Sequence, residues 1–240
     1  MIDLRCGDWR DVLAGVGEVD ALITDPPYSE RTQNGHSQVL RKGAMPDRVE
    51  RTSIHYDHWD EAAARMFISS WTPRVRGWIV ILTSHDLYFP MRSELEAMGR
   101  YVFHPIPCIV RGMSVRLCGD GPSSWTVWAV VARPRNAAFT KWGTLPGAYT
   151  GSRAERSVSS TRKFAGGKTL WLMRAIVRDY SRPGDLVCDP CAGYGTTLLA
   201  AEGVGRRAIG AELDPETHAK AMQRLNGGCQ YDLLEGGNHG

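Results

Sequence analysis

Residues 186–214 constrain the fold more than any other stretch of the chain. They read Leu-Val-Cys-Asp-Pro-Cys-Ala-Gly-Tyr-Gly-Thr-Thr, then an apolar run, and end on Ala-Ile-Gly-Ala-Glu-Leu-Asp. The pattern predicts a buried strand over 186–188, a turn carrying Gly193 and Gly195, a helix over about 196–202 and a second strand ending on Glu212. In a parallel α/β sheet such a turn leaves room for a ligand at the helix start, and an acid ending the next strand can accept hydrogen bonds from a ribose. A nucleoside-bearing ligand is therefore expected. A dinucleotide site requires a third glycine three residues after the second, where this chain has Leu198, so a pyrophosphate is disfavoured.

A second signal lies near the start of the chain. Ala21-Leu22-Ile23 reads as a buried strand and runs into Thr24-Asp25-Pro26-Pro27-Tyr28. Two consecutive prolines stop a strand and fix φ, which holds the flanking Asp25 and Tyr28 at a sheet edge. Asp25 and the Pro26 carbonyl can each accept a hydrogen from an exocyclic amine, and Tyr28 can stack on the ring that carries it. An ordinary strand-ending turn would use the same residues, but its pairing with the glycine turn makes that reading weaker.

These two stretches resemble the motifs of amino-methylating DNA methyltransferases, and their order resembles the circularly permuted β-group. The likeness covers most of residues 1–226. Asp189, Pro190, Cys191, Ala192, Gly193, Gly195 and Thr196 match the S-adenosylmethionine turn, with Cys191 where the family typically has phenylalanine. Asp8, after the first strand, matches an acid that reaches the adenine amine of the cofactor, although a turn residue reads equally well there. Lys168 matches a lysine beside the cofactor's methionine end, with Thr169 in place of the family's proline. The resemblance implies a three-layer α/β methyltransferase fold, Rossmann-like, with a mostly parallel seven-stranded sheet. In it the strands ending at Asp25 and Asp189 are neighbours, and the first strand pairs with the one ending at Glu212. It implies methyl transfer from S-adenosyl-L-methionine to the N6 of a flipped-out adenine in duplex DNA, with Asp25, Pro26, Pro27 and Tyr28 as the catalytic turn.

Three alternatives stay open. Cytosine N4 uses the same geometry, but family members acting there more often have serine at the position of Asp25. RNA or protein amide methylation uses related turns, usually with the glycine turn first. A non-catalytic DNA-binding regulator could also keep this fold.

The length of 240 residues, 42% hydrophobic, fits a single domain over 1–226 and a loose tail over 227–240. Met1 leads straight into a strand-like segment, and no segment approaches the roughly 20 apolar residues of a membrane span, so a cytoplasmic protein without membrane partners is expected. The six cysteines include only one Cys-x-x-Cys, Cys188 to Cys191, and read as reduced packing residues, with no metal site expected.

The net charge of +3 conceals an asymmetry. Residues 133–168 carry eight basic side chains against Glu155, a net +7, which leaves −4 for the rest. Phe139, Trp142, Tyr149 and Phe164 lie among these charges, a composition suited to phosphates and unstacked bases. Arg135, Lys141, Arg153, Arg156, Arg162 and Lys163 are thus candidate DNA contacts, with Arg111 and Arg116 of a glycine-containing loop over 111–124. Residues 29–57 show no period and read as a mobile loop able to close over DNA. Duplex DNA is the expected partner, a homodimer stays open, and nothing identifies a restriction endonuclease. Elsewhere, Asp60 is expected to cap a helix that buries Ala63, Met66, Phe67 and Trp71, and 101–110, with Pro105 and Pro107, to form an edge strand.

Overall fold

The structure, a computed structural model, describes residues 1–30, 58–111, 125–140, 142–152 and 167–227. In chain order its elements are β1 (Ile2–Cys6), α1 (Trp9–Val12), β2 (Ala21–Thr24), α2 (Glu61–Trp71), β3 (Ile79–Thr83), α3 (His85–Ala97), β4 (Tyr101–Val102) and β5 (Ile106–Arg111). There follow β6 (Thr126–Arg133), α4 (Ala137–Thr140), β7 (Tyr149–Ser152), α5 (Leu170–Tyr180), β8 (Leu186–Asp189), α6 (Thr196–Gly203), β9 (Arg207–Glu212) and α7 (Pro215–Asn226).

The strands form one sheet in the order β1-β9-β8-β2-β3-β6-β5-β7, with β4 also on β6. β6 is antiparallel to β3, β4 and β5, while the β1-β9-β8-β2-β3 run and the β5-β7 pair are parallel. The sheet is mostly parallel, as expected, but has nine strands among the described residues rather than seven. The segment over 101–110 breaks around Pro105 into two strands, and β7 is a short strand with Gly151 in it and no apolar alternation to announce it. β5 is not an edge: β7 covers its outer side, and Pro107 sits in register with Trp128 of β6.

Alternation along the central strands feeds two cores, one on each face. In β3, Val80 and Leu82 join Ala21 and Ile23 on the face covered by Leu172, Met173, Ile176 and Val177 of α5 and Leu198 and Ala201 of α6. Ile79 and Ile81 join Leu22 on the other face, under Phe67, Ile68 and Trp71 of α2 and Leu87, Met91 and Leu95 of α3. These two helical layers over one sheet are the three-layer arrangement. Asp60 caps α2 through a 2.7 Å bond from the Ala63 N–H. The buried face of that helix is Ala64, Phe67, Ile68 and Trp71, so it is turned by about one residue from the expected one and Met66 is exposed. The rings of Trp9 and Trp59 against Phe67 fix this rotation. No helix among the described residues is long and apolar enough to cross a membrane.

Candidate active site

β2 and β8 are adjacent and parallel, with Leu22 in register with Cys188. Their carboxyl ends therefore put the Asp25-Pro26-Pro27-Tyr28 turn beside the turn from Pro190 to Gly195. A direct bond ties the two: the Thr24 hydroxyl donates to Asp189 Oδ1 at 2.6 Å. The same oxygen accepts the Cys191 N–H at 3.1 Å. Burial pushes the Asp189 carboxyl up to about 6, and the negative charge of Asp25 adds to this, against the bonds from Thr197, Thr24 and Cys191.

The glycine turn is built as its sequence requires. Gly193 and Gly195 have φ of 53° and 73°, in the left-handed region open to glycine. Gly210 of β9 lies opposite Asp189 so closely that a Cβ there would stand 2.7 Å from the Asp189 carbonyl. Leu198, where a third glycine would stand in a dinucleotide site, is fully buried and packs against this glycine.

Glu212 ends β9, is 4% exposed, and takes the Gly193 N–H on Oε2 at 2.8 Å and the Asp214 N–H on Oε1 at 2.9 Å. Its carboxyl is raised by burial, against those backbone bonds. Each oxygen keeps a second lone pair for a hydroxyl donor. Asp8 lies next to this strand end, where the Gly7 N–H donates to the Glu212 carbonyl. Its side chain caps α1 through the Arg10 N–H and pairs with the Arg10 guanidinium, as the turn reading has it.

On the other turn, Tyr28 donates its hydroxyl to Asp25 Oδ1 at 2.8 Å, and Lys168 Nζ lies 2.6 Å from Asp25 Oδ2. Lys168 thus stands at the proline turn, with its ammonium 4.9 Å from the centroid of the Tyr28 ring. The turn is pinned beyond Tyr28 by the Trp59 N–H on the Tyr28 carbonyl and by a Ser29–Asp86 hydrogen bond. Cys191 is half-buried, and burial, with Asp189 and Glu212 nearby, holds its thiol well above the usual range, so it offers no thiolate. Among the described residues no group of three or more His, Cys, Asp or Glu could hold a metal ion.

Two contacts had no signal in the sequence. Arg224 of α7 reaches back to the Tyr194 carbonyl at 3.0 Å and to the Thr196 hydroxyl at 2.8 Å, so Thr196 is held from a helix thirty residues on. Thr24, read only as the end of a strand, supplies the bond that joins the two turns.

The basic segment divides. Arg133 and Arg135 lie at the amino end of the parallel strands, over the ring of Tyr101, whereas the candidate site is at the carboxyl end. Three of the four aromatics expected to meet bases are structural. Phe139 stacks on Trp142 and both rings pack on Trp78, while Tyr149 is buried with its hydroxyl on Asp179 at 2.8 Å. The Trp142 indole N–H donates to the Asp179 carbonyl. Arg111, exposed at the end of β5, is at the carboxyl end. Arg116, Lys141, Arg153, Arg156, Arg162, Lys163 and Phe164, most of the 29–57 loop and nearly all of the tail lie outside the described residues.

Solved structures of similar shape place the fold. The chain superposes on the crystal structure of the M1.HpyAVI-SAM complex with a TM-score of 0.66, at 24% identity over 94% of this chain and 100% of that one. It superposes on the cytosine-N4-specific PvuII DNA methyltransferase with a TM-score of 0.67, at 14% identity over 97% of this chain and 89% of that one. The fold is that of a DNA methyltransferase. Residues 111–223, just under half of the chain, match the family model described as DNA methylase, that of the N6/N4 enzymes. In sequence the chain is 32% identical over 85 residues to the type II methyltransferase M2.LlaDCHI of Lactococcus lactis subsp. cremoris, covering 35% of this chain and 32% of that protein. It is 37% identical over 83 residues to M.XycI of Xanthomonas campestris pv. cyanopsidis, covering 32% and 28%. These matches span less than half the length of the curated relatives.

Proposed function

We propose that this protein is a DNA amino-methyltransferase that uses S-adenosyl-L-methionine and acts on the N6 of adenine. The observation that carries the proposal is the junction at the ends of β2 and β8. A turn able to accept hydrogens from an amine is bonded, through Thr24 and Asp189, to a turn able to hold a nucleoside.

The residues present fit the cofactor. Glu212 is a buried acid with lone pairs free for ribose hydroxyls, and Gly193, where an added Cβ would meet no other atom within 4 Å, leaves open space before α6. Bound there, S-adenosylmethionine supplies a methyl group on a sulfonium. What the chain supplies is an activated amine and its position. The lone pair of a nucleobase amine is delocalised into the ring. Accepting its hydrogens on Asp25 and the Pro26 carbonyl draws the pair out of conjugation and toward the methyl. Holding the reacting atoms at about 3 to 3.5 Å can contribute roughly 7 to 11 kcal/mol. No covalent intermediate with the protein is required, in keeping with the protonated Cys191 thiol. An amine inside a duplex cannot reach this turn, so the base is flipped out, and Tyr28 offers its ring as the stacking surface. Arg111 and Arg116, with Arg153, Arg156, Arg162 and Lys163, are the proposed phosphate contacts.

The fold does not choose between adenine and cytosine, since a cytosine-N4 enzyme shares it. The choice of adenine rests on Asp25 as the residue before the two prolines. Nucleoside mass spectrometry of DNA from a host expressing the chain is expected to show N6-methyladenine. Asp25→Ala should abolish it while S-adenosylmethionine affinity stays within a few-fold. N4-methylcytosine instead would move the target, and neither base, with cofactor and duplex both bound, would favour a non-catalytic regulator.

A further inference from the structure

The acceptor that the target amine needs already carries a donor on each of its oxygens. Asp25 receives the Tyr28 hydroxyl on Oδ1, and its second oxygen is held by the Lys168 ammonium at 2.6 Å. That ammonium also lies over the face of Tyr28, where the flipped base is to stack. The Lys168 side chain is 7% exposed and that of Asp25 22%, so the pair is partly withdrawn from water. A charge-assisted bond in such a place is among the stronger ones, and leaving either partner bare costs more than the bond itself contributes. The lysine has a way out, because Gly167 before it is exposed, so the surface lies close to its backbone and rotation of its stem can carry the ammonium toward solvent.

Resting on the function proposed above, we propose that Lys168 is a place-holder for the target amine and a determinant of which bases the site accepts. It fills both the hydrogen-bond position on Asp25 and the ring face of Tyr28. A base that brings its own N–H donor replaces the ammonium bond for bond. A base presenting a carbonyl at that edge sets an acceptor against a carboxylate, and Lys168 stays. Lys168 thus acts through Asp25 as a positioning residue, and amine-bearing bases are selected by exchange rather than by shape alone.

The test uses the full chain with its cofactor site saturated by S-adenosylhomocysteine, so that an added nucleoside reports on the base site. Adenosine, cytidine and inosine are titrated calorimetrically into wild type, Lys168→Met and Lys168→Arg, with thermal melting to confirm folding. Lys168→Met removes the competitor and keeps the stem, and should bind the nucleoside of the target base about tenfold more tightly than wild type. Lys168→Arg keeps a cation on Asp25 and should not gain. Inosine, which has a carbonyl in place of the adenine amine, should gain in neither. Should Lys168→Met not fold, carbon-13 labelling of lysine in wild type gives the same answer. The ε-carbon signal lost in Lys168→Arg should shift on adding adenosine and not on adding inosine.

Unchanged or weaker nucleoside binding by folded Lys168→Met, or an equal gain for inosine, overturns the place-holder, as does a lysine signal indifferent to adenosine. If wild type still methylates DNA in those cases, the proposed function survives and only the role of Lys168 falls. If wild type methylates nothing and neither form binds any nucleoside, the function itself falls and the exchange with it.

Discussion

Asp189→Asn should stabilise this protein increasingly as pH rises. Asp189 is 1% exposed, and its Oδ1 accepts from both the Thr24 hydroxyl and the Cys191 N–H. An asparagine in the same rotamer keeps that oxygen, and its amide can donate to the Thr197 hydroxyl, which the carboxylate uses as a donor. Little is lost by geometry, and the difference is charge. Burial raises the Asp189 carboxyl from its ordinary 3.8 to about 6. Its contribution to stability is therefore fully present below pH 3.8, where both folded and unfolded chains are protonated, and is lost as pH rises through about 6. The interval corresponds to about 3 kcal/mol, of which about 2 kcal/mol falls between roughly pH 4.5 and 7.5. Asparagine does not titrate, so the stability difference between variant and wild type should grow by that amount over that range. Urea unfolding of both proteins at the two ends of the range measures it, with the slopes checked for a common transition. A difference that stays constant to within about 0.5 kcal/mol would refute the reasoning, and Asp189 would then be ionised in the fold at no cost.

Glu212→Ala strips a proposed ribose acceptor and leaves the Gly193 and Asp214 N–H groups without their partner, so S-adenosylmethionine should bind roughly tenfold or more weakly by calorimetry; unchanged affinity in a folded variant would remove Glu212 from the site. Trp142→Ala should cost about 3 kcal/mol in thermal or urea unfolding, because the ring packs on Trp78 and Phe139, and should leave the salt dependence of duplex binding untouched. A shallower salt slope in that variant would return the aromatics to the nucleic-acid surface.

The parts of this fold that were legible in the sequence are those specified locally. The strand, turn and helix over 186–202 depend on residues within a few positions of one another, and the left-handed Gly193 and Gly195 announce themselves by having no side chain. Asp60 marks a helix start for the same reason. The pairing of β2 with β8 followed from family likeness and not from any pattern in the residues. What stayed hidden depends on partners distant in sequence. Lys168 meets Asp25 across 143 residues and Thr24 meets Asp189 across 165, and neither lysine nor threonine carries a mark of its partner. β7 was missed because Gly151 has to accommodate the ring of Trp171 from α5, which removes the alternating pattern a strand would otherwise show.

The basic segment shows why composition alone misplaces function. Its charges sum to +7 along the chain, but β7 carries that chain from one end of the sheet to the other. Before β7, the segment packs where the parallel strands begin: Phe139 and Trp142 lie against Trp78, just ahead of β3, and Arg133 and Arg135 lie over Tyr101. β3 is five residues long, and at about 3.3 Å per residue its two ends are roughly 16 Å apart. That exceeds the Debye length of about 8 Å at physiological salt, so charges at the far end contribute little to phosphates held near Asp25. After β7 the described chain stops at Ser152 and resumes at Gly167, both at the carboxyl end, next to Arg111 and Lys168 respectively. The proposal of duplex contact therefore narrows from the whole segment to its second half together with Arg111. Aromatic residues among positive charges do not distinguish a base-stacking surface from a core that those charges cover. In the first half the rings are needed to close the hydrophobic face beneath Trp78, and Arg182, 3.8 Å over Trp142, covers the cluster from outside.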